Sequence, residues 1–303
     1  MDLKELYQNV EENLGKEIEL KGWIRNHRKQ KEFGFIDFSD GTCFKHIQLV
    51  YDNKLENFEE IQKYHNGSAI TAGGLLIKSE GAGQDYEVKV TKIVLEGDCP
   101  EDYPMQPKRH SSEFLREQAY LRPRTNLFQA VFRIRSVTAM AIHTYFQERG
   151  YVYFHAPLFT ASDCEGAGEM FHVTTQNLDD IAKSSKNNLE KELFGRSVGL
   201  TVSGQLEAET FATAFKKTYT FGPTFRAENS NTKFHANEFW MIEPEVAFCD
   251  LNGILDIEEE CLKYVITYVL EHAKDEMKFL DQFVEKGLID KLTKLIHSKF
   301  TRI

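Results

Sequence analysis

The sequence predicts an α+β fold in which a five-stranded β-barrel precedes a domain of antiparallel strands with flanking helices. Three observations predict it. Residues 16–97 contain five short strand-like segments, residues 105–125 are rich in proline and charge, and residues 126–303 combine long helical stripes with aromatic, β-branched strands. We therefore divide the chain into a first domain over residues 1–104, a connector, and a second domain over residues 126–303.

Composition and charge limit the classes of protein to consider. Of the 303 residues, 41% are hydrophobic and 28% charged, as in soluble globular proteins with a substantial core. Five scattered cysteines without a CxxC pair predict reduced thiols and no metal site. No stretch approaches the roughly 20 apolar residues that cross a bilayer, so we expect a cytoplasmic protein without a membrane partner. The net charge of −10 argues against indiscriminate nucleic-acid binding, although a local basic patch would suffice for RNA.

The first domain has the pattern of an OB-fold. A helical segment over residues 55–65 falls between its third and fourth strands, and the face around strands two and three of such a barrel binds single-stranded nucleic acid. Phe33 and Phe35 lie two apart on the second strand and share a face, where they either stack on bases or belong to the core. A run of basic residues precedes them and predicts a positive patch: Lys21, Arg25, His27, Arg28, Lys29 and Lys31.

In the second domain, two strand-like segments, 219–221 and 239–242, flank a long polar segment. Arg226 in that segment can bind a phosphate or carboxylate through two parallel hydrogen bonds, and Phe239 offers a ring face to a flat base. An ordinary hairpin with a solvated loop is the alternative.

The amino-acid sequence of these stretches resembles that of one protein family. FGPTFRAENSNT and EFWMIEPE resemble motif 2 of the class II aminoacyl-tRNA synthetases, the asparaginyl members in particular. The resemblance implies that Arg226 is catalytic and binds the ATP α-phosphate and the amino-acid carboxylate. It implies that Glu228 contacts the adenine amino group, that Phe239 contacts the adenine face, and that His235 contacts the terminal phosphates. Phe234 stands where an arginine is commoner, so Lys233 is an alternative contact for the γ-phosphate.

The first domain resembles the anticodon-binding domain of the aspartyl, asparaginyl and lysyl enzymes over GWIRNHRKQKEFGFIDFSDGT. The resemblance implies that Phe35 stacks on an anticodon base, that Gln48 hydrogen-bonds a base edge, and that Arg28 contacts a phosphate. The role of Phe33 stays open.

The amino-acid pocket is also assigned by resemblance. EGAGEMF resembles the loop that closes over the amino acid in the asparaginyl enzymes, which implies that Glu165 accepts the substrate α-ammonium group. TVSGQLEAET resembles the segment that places Gln205 in the pocket. Aspartyl enzymes carry a lysine where this chain has Ala208, so a buried aspartate carboxylate would lack its cation. Glu243 can accept a hydrogen bond from a carboxamide, and we expect L-asparagine as the substrate.

The remaining segments complete the expectation. The apolar stripe from Asn126 and the strand over residues 151–159 resemble motif 1, which implies a homodimer. Residues 251–285 predict one helix, and residues 288–303 predict another. Motif 3 is not found, so we expect a truncated sequence that does not complete adenylation alone.

The leading interpretation is an asparagine–tRNA ligase that uses ATP with Mg²⁺ and the partner tRNA(Asn). Three alternatives stay open: an aspartyl-tRNA synthetase, a synthetase-like asparagine synthetase, and a non-catalytic RNA-binding protein.

Overall fold

A computed structural model describes residues 1–303 except 82, 107, 184–188, 231, 233 and 303. The chain forms two compact units. The first consists of Met1–Val137 with Leu270–Leu292, and the second consists of Thr138–Val269 with the segment from Thr293 onward. Within the described residues, no helix is both long and apolar enough to cross a membrane.

The first unit is built on a closed five-stranded barrel with strand order β1-β2-β3-β5-β4. Strands β3 and β5 pair in parallel, and the other neighbours pair antiparallel. The predicted α+β fold with an N-terminal OB-type barrel is thereby confirmed. Its strands are β1 (Glu17–Lys29), β2 (Phe33–Ser39), β3 (Ile47–Asp52), β4 (Ala69–Lys78) and β5 (Tyr86–Gly97), and its short helices are α1 (Leu3–Gln8), α2 (Val10–Asn13), α3 (Phe58–Ile61) and α4 (Ser112–Glu117).

A β-bulge decides which side chains of β1 face the barrel core. Before it, Leu20 and Ile24 are buried, as the two-residue period of a strand requires. The pairing with β2 then shifts register between Ile24 and Asn26, which leaves Arg25 as the extra residue. Beyond the bulge the alternation of inward-facing and outward-facing side chains is shifted by one residue, so His27 faces inward and Arg28 faces outward.

The predicted connector contains more regular structure than its prolines suggested. Helix α4 begins after Ser111, whose Oγ accepts a hydrogen bond from the Phe114 N–H at 3.2 Å. A 3-10 turn follows over Arg122–Arg124, with Pro123 in its first turn, where a missing N–H costs nothing. Pro107 lies outside the described residues.

The second unit centres on two long antiparallel strands, β10 (Lys217–Phe225) and β11 (Glu238–Val246), in a sheet of order β11-β10-β6. Three short strands form another sheet of order β7-β9-β8. The shorter strands and helices of this unit are β6 (Val152–Tyr153), β7 (Phe159–Thr160), β8 (His172–Val173), β9 (Val198–Leu200), α6 (Leu178–Lys183) and α7 (Gln205–Phe215).

Strand β10 runs through Pro223, beyond the strand segment predicted to end at residue 221. Its odd-numbered residues direct their backbone groups away from β11, since the Tyr219 carbonyl accepts from the Phe154 N–H and the Phe225 N–H donates to Thr201. Pro223 is also odd-numbered, and it lies beyond Thr218 and Tyr219, the two β10 residues that pair with β6. The N–H that proline lacks is therefore not needed for the sheet.

Four helices complete the chain: α5 (Asn126–Glu148), α8 (Leu251–His272), α9 (Lys274–Phe283) and α10 (Leu288–His297). The prediction of one helix over residues 251–285 was wrong, because the backbone leaves helical geometry at the buried Ala273 (φ −128°, ψ 45°). Leu262, an apolar residue of α8, is 53% exposed.

The single strand predicted over residues 151–159 was also wrong. The structure places β6 and β7 in two different sheets, with Pro157 between them. A proline has no N–H for a sheet, which accounts for the break.

Candidate functional site

Arg226 directly follows β10 and is half-buried in the second unit. Its Nε and Nη2 donate to the Val202 carbonyl at 3.4 and 3.3 Å, and Nη2 lies 3.9 Å from the Met241 sulfur. Its guanidinium carbon lies 5.4 Å from the centre of the Phe239 ring. The predicted pair of Arg226 and Phe239 is thus brought together, and among the described residues Nη1 of Arg226 has no hydrogen-bond acceptor, so its two N–H groups can bind a ligand.

The glycine-rich loop of residues 160–171 packs against Arg226. The Ala227 N–H donates to the Glu169 carbonyl at 2.7 Å, and an added Cβ on Gly168 would lie 2.9 Å from Cγ and Cδ of Arg226. The absence of a side chain at Gly168 therefore permits this close approach. Glu165, in the same loop, is exposed and adopts a positive φ of 59°.

Glu243 lies in the middle of β11. The shorter predicted strand, which ended at residue 242, had placed it at the end of the strand. Its carboxylate accepts hydrogen bonds from the Ser203 hydroxyl and, at 3.0 Å, from the Gly204 N–H. Ser203 Oγ in turn accepts from the Gln205 N–H at 3.1 Å. Gln205 is the first residue of α7, so these contacts fix the start of that helix beside β11.

The remaining positions of this predicted pocket have simpler surroundings. The Gln205 side-chain amide donates to Glu209 at 3.0 Å. Ala208 is fully buried in α7, and its carbonyl accepts from the Thr218 hydroxyl. A cavity of about 70 Å³ lies beside this group and is lined in part by Gly204, Thr220 and Glu243.

The segment between β10 and β11 is held by Asn237. Its side-chain amide donates to the Arg226 carbonyl at 2.7 Å and the Glu228 carbonyl at 3.2 Å, and the Arg226 N–H donates to the Asn237 carbonyl. His235 is exposed and its ring contacts Thr232. Lys233 lies outside the described residues.

A second group of predicted residues lies on the outer face of the barrel. Arg28 pairs with Phe35 across β1 and β2, with its guanidinium carbon 5.1 Å from the ring centre. Arg28 Nη2 donates to Gln48 Oε1 at 2.7 Å, and the Gln48 amide donates to Glu87 at 3.3 Å. Phe33 is 37% exposed and meets Phe35 edge to face, so the two rings are not core residues.

The predicted basic patch was wrong in one member. His27 faces inward, where its ring bonds the Tyr51 hydroxyl at 2.7 Å and the Tyr64 carbonyl at 3.2 Å. Burial lowers the pKa of His27 to about 4, so the ring is neutral at pH 7 and adds no positive charge. Arg25 is half-buried, whereas Lys21, Arg28, Lys29 and Lys31 are exposed.

Comparison with known families decides the assignment. A family model described as class II tRNA synthetases (D, K and N) matches residues 111–302, and one described as an OB-fold nucleic acid binding domain matches residues 18–96. The chain belongs to the class II tRNA synthetases. The resemblance found in motif 2 and in the barrel is confirmed.

Relatives in this synthetase family are close over the whole chain. The asparagine–tRNA ligases of Clostridium novyi (strain NT) and Desulfitobacterium hafniense (strain Y51) are each 52% identical to it, over 99% of this chain and 65% of their own length. An asparaginyl-tRNA synthetase from Pyrococcus horikoshii, complexed with asparaginyl-adenylate, superposes with a TM-score of 0.78 at 26% identity, over 94% of this chain and 61% of that one. The present chain thus spans 65% of the length of these curated relatives.

Several synthetase-site residues were missed by the sequence reasoning. Ser203, Asn237 and Met241 hold the predicted residues in place, and Gly168 admits Arg226. Of these, only Ser203 had a usable signal, because a serine just before an apolar helical segment marks a helix start. The Val202 carbonyl that orients Arg226 is a backbone group, which no side-chain pattern identifies.

Proposed function

We propose that this chain carries the amino-acid-activating site and the anticodon-reading barrel of an asparagine–tRNA ligase. An oxygen of the L-asparagine carboxylate attacks the α-phosphorus of ATP, the bond to the β-phosphate breaks, and pyrophosphate leaves. The ribose hydroxyl at the end of tRNA(Asn) then attacks the adenylate carbonyl and AMP leaves. The observation that carries the proposal is the Arg226 guanidinium, held by Val202 beside the Phe239 ring.

Arg226 supplies the electrostatic part of this reaction. Two of its N–H groups are directed to Val202, which fixes the plane of the guanidinium before a ligand arrives. The others would donate to the α-phosphate and to the amino-acid carboxylate, where negative charge develops in the transition state. Positioning and charge stabilisation suffice, because the substrate carboxylate is itself the nucleophile.

The other proposed contacts rest on the resemblance to motif 2 and to the loop that closes over the amino acid. Phe239 would lie against the adenine face, and Glu228 and His235 would contact the adenine amino group and the terminal phosphates from the segment after Arg226. Glu165 would accept the substrate α-ammonium group when the glycine-rich loop closes. Glu165 is exposed in this structure, so that contact requires the loop to move.

Selectivity for asparagine over aspartate rests on charge. Glu243 is a carboxylate held toward α7 by Ser203 and Gly204, and the lysine position of aspartyl enzymes is the buried Ala208. An aspartate side chain would meet a like charge and no cation, whereas a carboxamide can donate to Glu243. Sites of this kind discriminate by roughly 10⁴-fold.

ATP and Mg²⁺ are the proposed cofactors. The free N–H groups of Arg226 and the adjacent Phe239 ring fit a nucleotide. The described residues contain no group of three or more His, Cys, Asp and Glu that could hold a metal ion. Mg²⁺ would therefore enter on the ATP phosphates, where it offsets their charge, and no step is assigned to it through a protein ligand.

The outer face of the barrel is the proposed anticodon site. Phe35 would stack on a base, Gln48 would hydrogen-bond a base edge, and Arg28 would bind a phosphate, as their mutual contacts allow. We also propose a cytoplasmic homodimer, on the resemblance to motif 1. The division into 1–104, 105–125 and 126–303 stays a proposal about functional domains.

Binding of two non-hydrolysable adenylate analogues tests the proposal. Isothermal titration calorimetry would compare asparaginyl-sulfamoyl-adenosine with its aspartyl counterpart. We expect the asparaginyl analogue to bind far more tightly and Arg226→Ala to weaken it by about 10- to 150-fold, the effect of losing charged hydrogen bonds. Arg196→Ala, an exposed arginine of the same unit, is the matched control and should have no effect.

The possible outcomes separate the alternatives. Tighter binding of the aspartyl analogue would assign an aspartyl enzyme. Binding of tRNA with no binding of either analogue would favour the non-catalytic RNA-binding protein. Binding of the asparaginyl analogue without any affinity for tRNA would favour the tRNA-free asparagine synthetase.

A further inference from the structure

Phe33 takes no part in the contacts assigned above, although it is the more exposed ring of the pair on β2. Its side chain is 37% exposed, whereas Phe35 is half-buried. In the described part of the chain, the apolar core of the barrel contains Ile36 and Phe38 of this strand but neither Phe33 nor Phe35. The core therefore does not account for an aromatic side chain at position 33.

The rings of Phe33 and Phe35 are perpendicular. Their centres lie 5.4 Å apart, and the angle between the ring planes is 89°. Consecutive bases in a continuous stack are parallel and about 3.4 Å apart, so one such stack cannot lie flat on both rings. Each ring can instead receive its own base if the strand turns between the two nucleotides. Single-stranded RNA is recognised in this manner, with unstacked bases lying on aromatic side chains.

The two rings differ in what lies over them. The Arg28 guanidinium carbon lies 5.1 Å from the centre of the Phe35 ring, and Arg28 Nη2 donates to Gln48. Among the described residues, Phe33 has no cation over its ring and no ring contact other than that with Phe35. A base can therefore approach the exposed Phe33 ring without first displacing a guanidinium or ammonium group.

The charge around Phe33 suits an RNA strand. The charged residues next to it on β1, β2 and β3 are three lysines and two carboxylates: Lys29, Lys31, Glu32, Asp52 and Lys54. Asp52 pairs with Phe33 across β2 and β3, and its carboxylate already accepts a hydrogen bond from the Lys54 N–H at 3.0 Å. The three lysines are exposed, so their charges are available to phosphates. The local charge is positive, although the whole chain carries −10.

We propose that Phe33 is a second base-stacking residue of the barrel and binds the nucleotide next to the one on Phe35. This inference rests on the proposed anticodon site. One unpaired base of the anticodon loop would lie on the Phe33 ring and its neighbour on the Phe35 ring, and the perpendicular rings would hold the two bases apart. Stacking tolerates every base, so Phe33 would supply affinity and fix the path of the strand, while Gln48 supplies base selectivity.

Fluorescence anisotropy with a labelled anticodon stem-loop of tRNA(Asn) tests the inference. We expect Phe33→Ala to weaken binding by about 5- to 150-fold, the effect of losing one base–ring stack. Phe33→Leu keeps the apolar bulk without a π-face and should weaken binding almost as much, whereas Phe33→Tyr keeps the ring and should retain wild-type affinity. The matched control is Tyr120→Ala, which removes a ring that is 76% exposed in the same unit and should change nothing.

Abasic nucleotides distinguish a direct stack on Phe33 from mere support of Phe35. Stem-loops that each lack one base of the anticodon loop are titrated with the wild type, Phe33→Ala and Phe35→Ala. If each ring binds its own base, one abasic position should abolish the effect of Phe33→Ala, and an adjacent position should abolish the effect of Phe35→Ala. Loss of both effects at the same position would show that Phe33 acts only through Phe35, and the inference would be overturned.

The remaining outcomes separate this inference from the proposed function. If Phe35→Ala weakens binding and Phe33→Ala does not, the second stacking residue is wrong and the proposed anticodon site stands. If the wild type does not bind the stem-loop, both are wrong. Misfolding is excluded by thermal unfolding of Phe33→Leu, whose midpoint should match that of the wild type because the side chain lies outside the barrel core.

Discussion

Replacement of Gly168 by alanine should displace Arg226 without unfolding the protein. The added Cβ would stand 2.9 Å from Cγ and Cδ of Arg226 and 3.2 Å from Nε. Carbon atoms in contact prefer separations of about 3.5–4.0 Å, so the arginine must retreat by roughly 0.6–1 Å. The atoms concerned lie in the middle of the side chain, so rotation of its tip alone cannot relieve the overlap.

The retreat has a definite energetic consequence. The bonds from Nε and Nη2 to the Val202 carbonyl are 3.4 and 3.3 Å long, and a further 0.6 Å or so exceeds hydrogen-bond length. Loss of hydrogen bonds from a charged donor costs about 1.5–3 kcal/mol. We therefore expect Gly168→Ala to weaken the asparaginyl-sulfamoyl-adenosine complex by about 10- to 150-fold. The free energy of unfolding should change by less than about 1 kcal/mol, because the substitution lies in a loop.

Calorimetry with that analogue, together with urea unfolding, checks the prediction. The matched control is Gly222→Ala in β10, where an added Cβ has no described neighbour within 4 Å and should leave the affinity unchanged. Wild-type affinity in Gly168→Ala would show that the loop contact does not position the guanidinium, and the reasoning above would fail.

Three further predictions concern the barrel. Gly34→Ala places a Cβ 2.2 Å from the hydroxyl of Tyr51, a fully buried ring, and should lower the free energy of unfolding by at least about 1–3 kcal/mol in urea titrations; an unchanged midpoint would contradict this. Because burial lowers the pKa of His27 to about 4, the unfolded chain binds the extra proton first, and stability should fall by up to about 3 kcal/mol as pH drops from 6.5 to 4. In thermal unfolding, His27→Gln should flatten that dependence, and an equally steep curve would refute it. Phe35→Ala should weaken binding of an anticodon stem-loop RNA by about 1–3 kcal/mol in a filter or anisotropy assay and leave binding of the adenylate analogue intact, whereas equal losses in both would count against an anticodon role.

The pattern of β1 illustrates where prediction from sequence stops. The composition of the segment predicted the strand itself, and the structure places Leu20 and Ile24 of this strand in the core. The composition could not locate the bulge at Arg25, because whether one residue is left unpaired depends on how β1 registers with β2. That one residue turns His27 inward and Arg28 outward, so the predicted run of six cations separates into different environments.

The helix after β11 shows the same limit. Nothing in the residues around Ala273 signals a break, since neither glycine nor proline is present there. In the structure, the backbone of Ala273 is not helical and its side chain is almost completely buried. Packing around a small side chain decided the break, and packing is not encoded in a local pattern.

By itself, the sequence determined the barrel, the order of its strands along the chain, the two-strand platform and the family. These follow from local periodicity and from runs of consecutive residues, which a single chain displays directly. Only the tertiary structure decided that Val202, Gly168 and Phe239 meet around Arg226, and that a β-bulge separates Arg25 from the other basic residues of β1. Those contacts join residues far apart in the chain and involve backbone groups, so they come into existence only when the separate elements pack together.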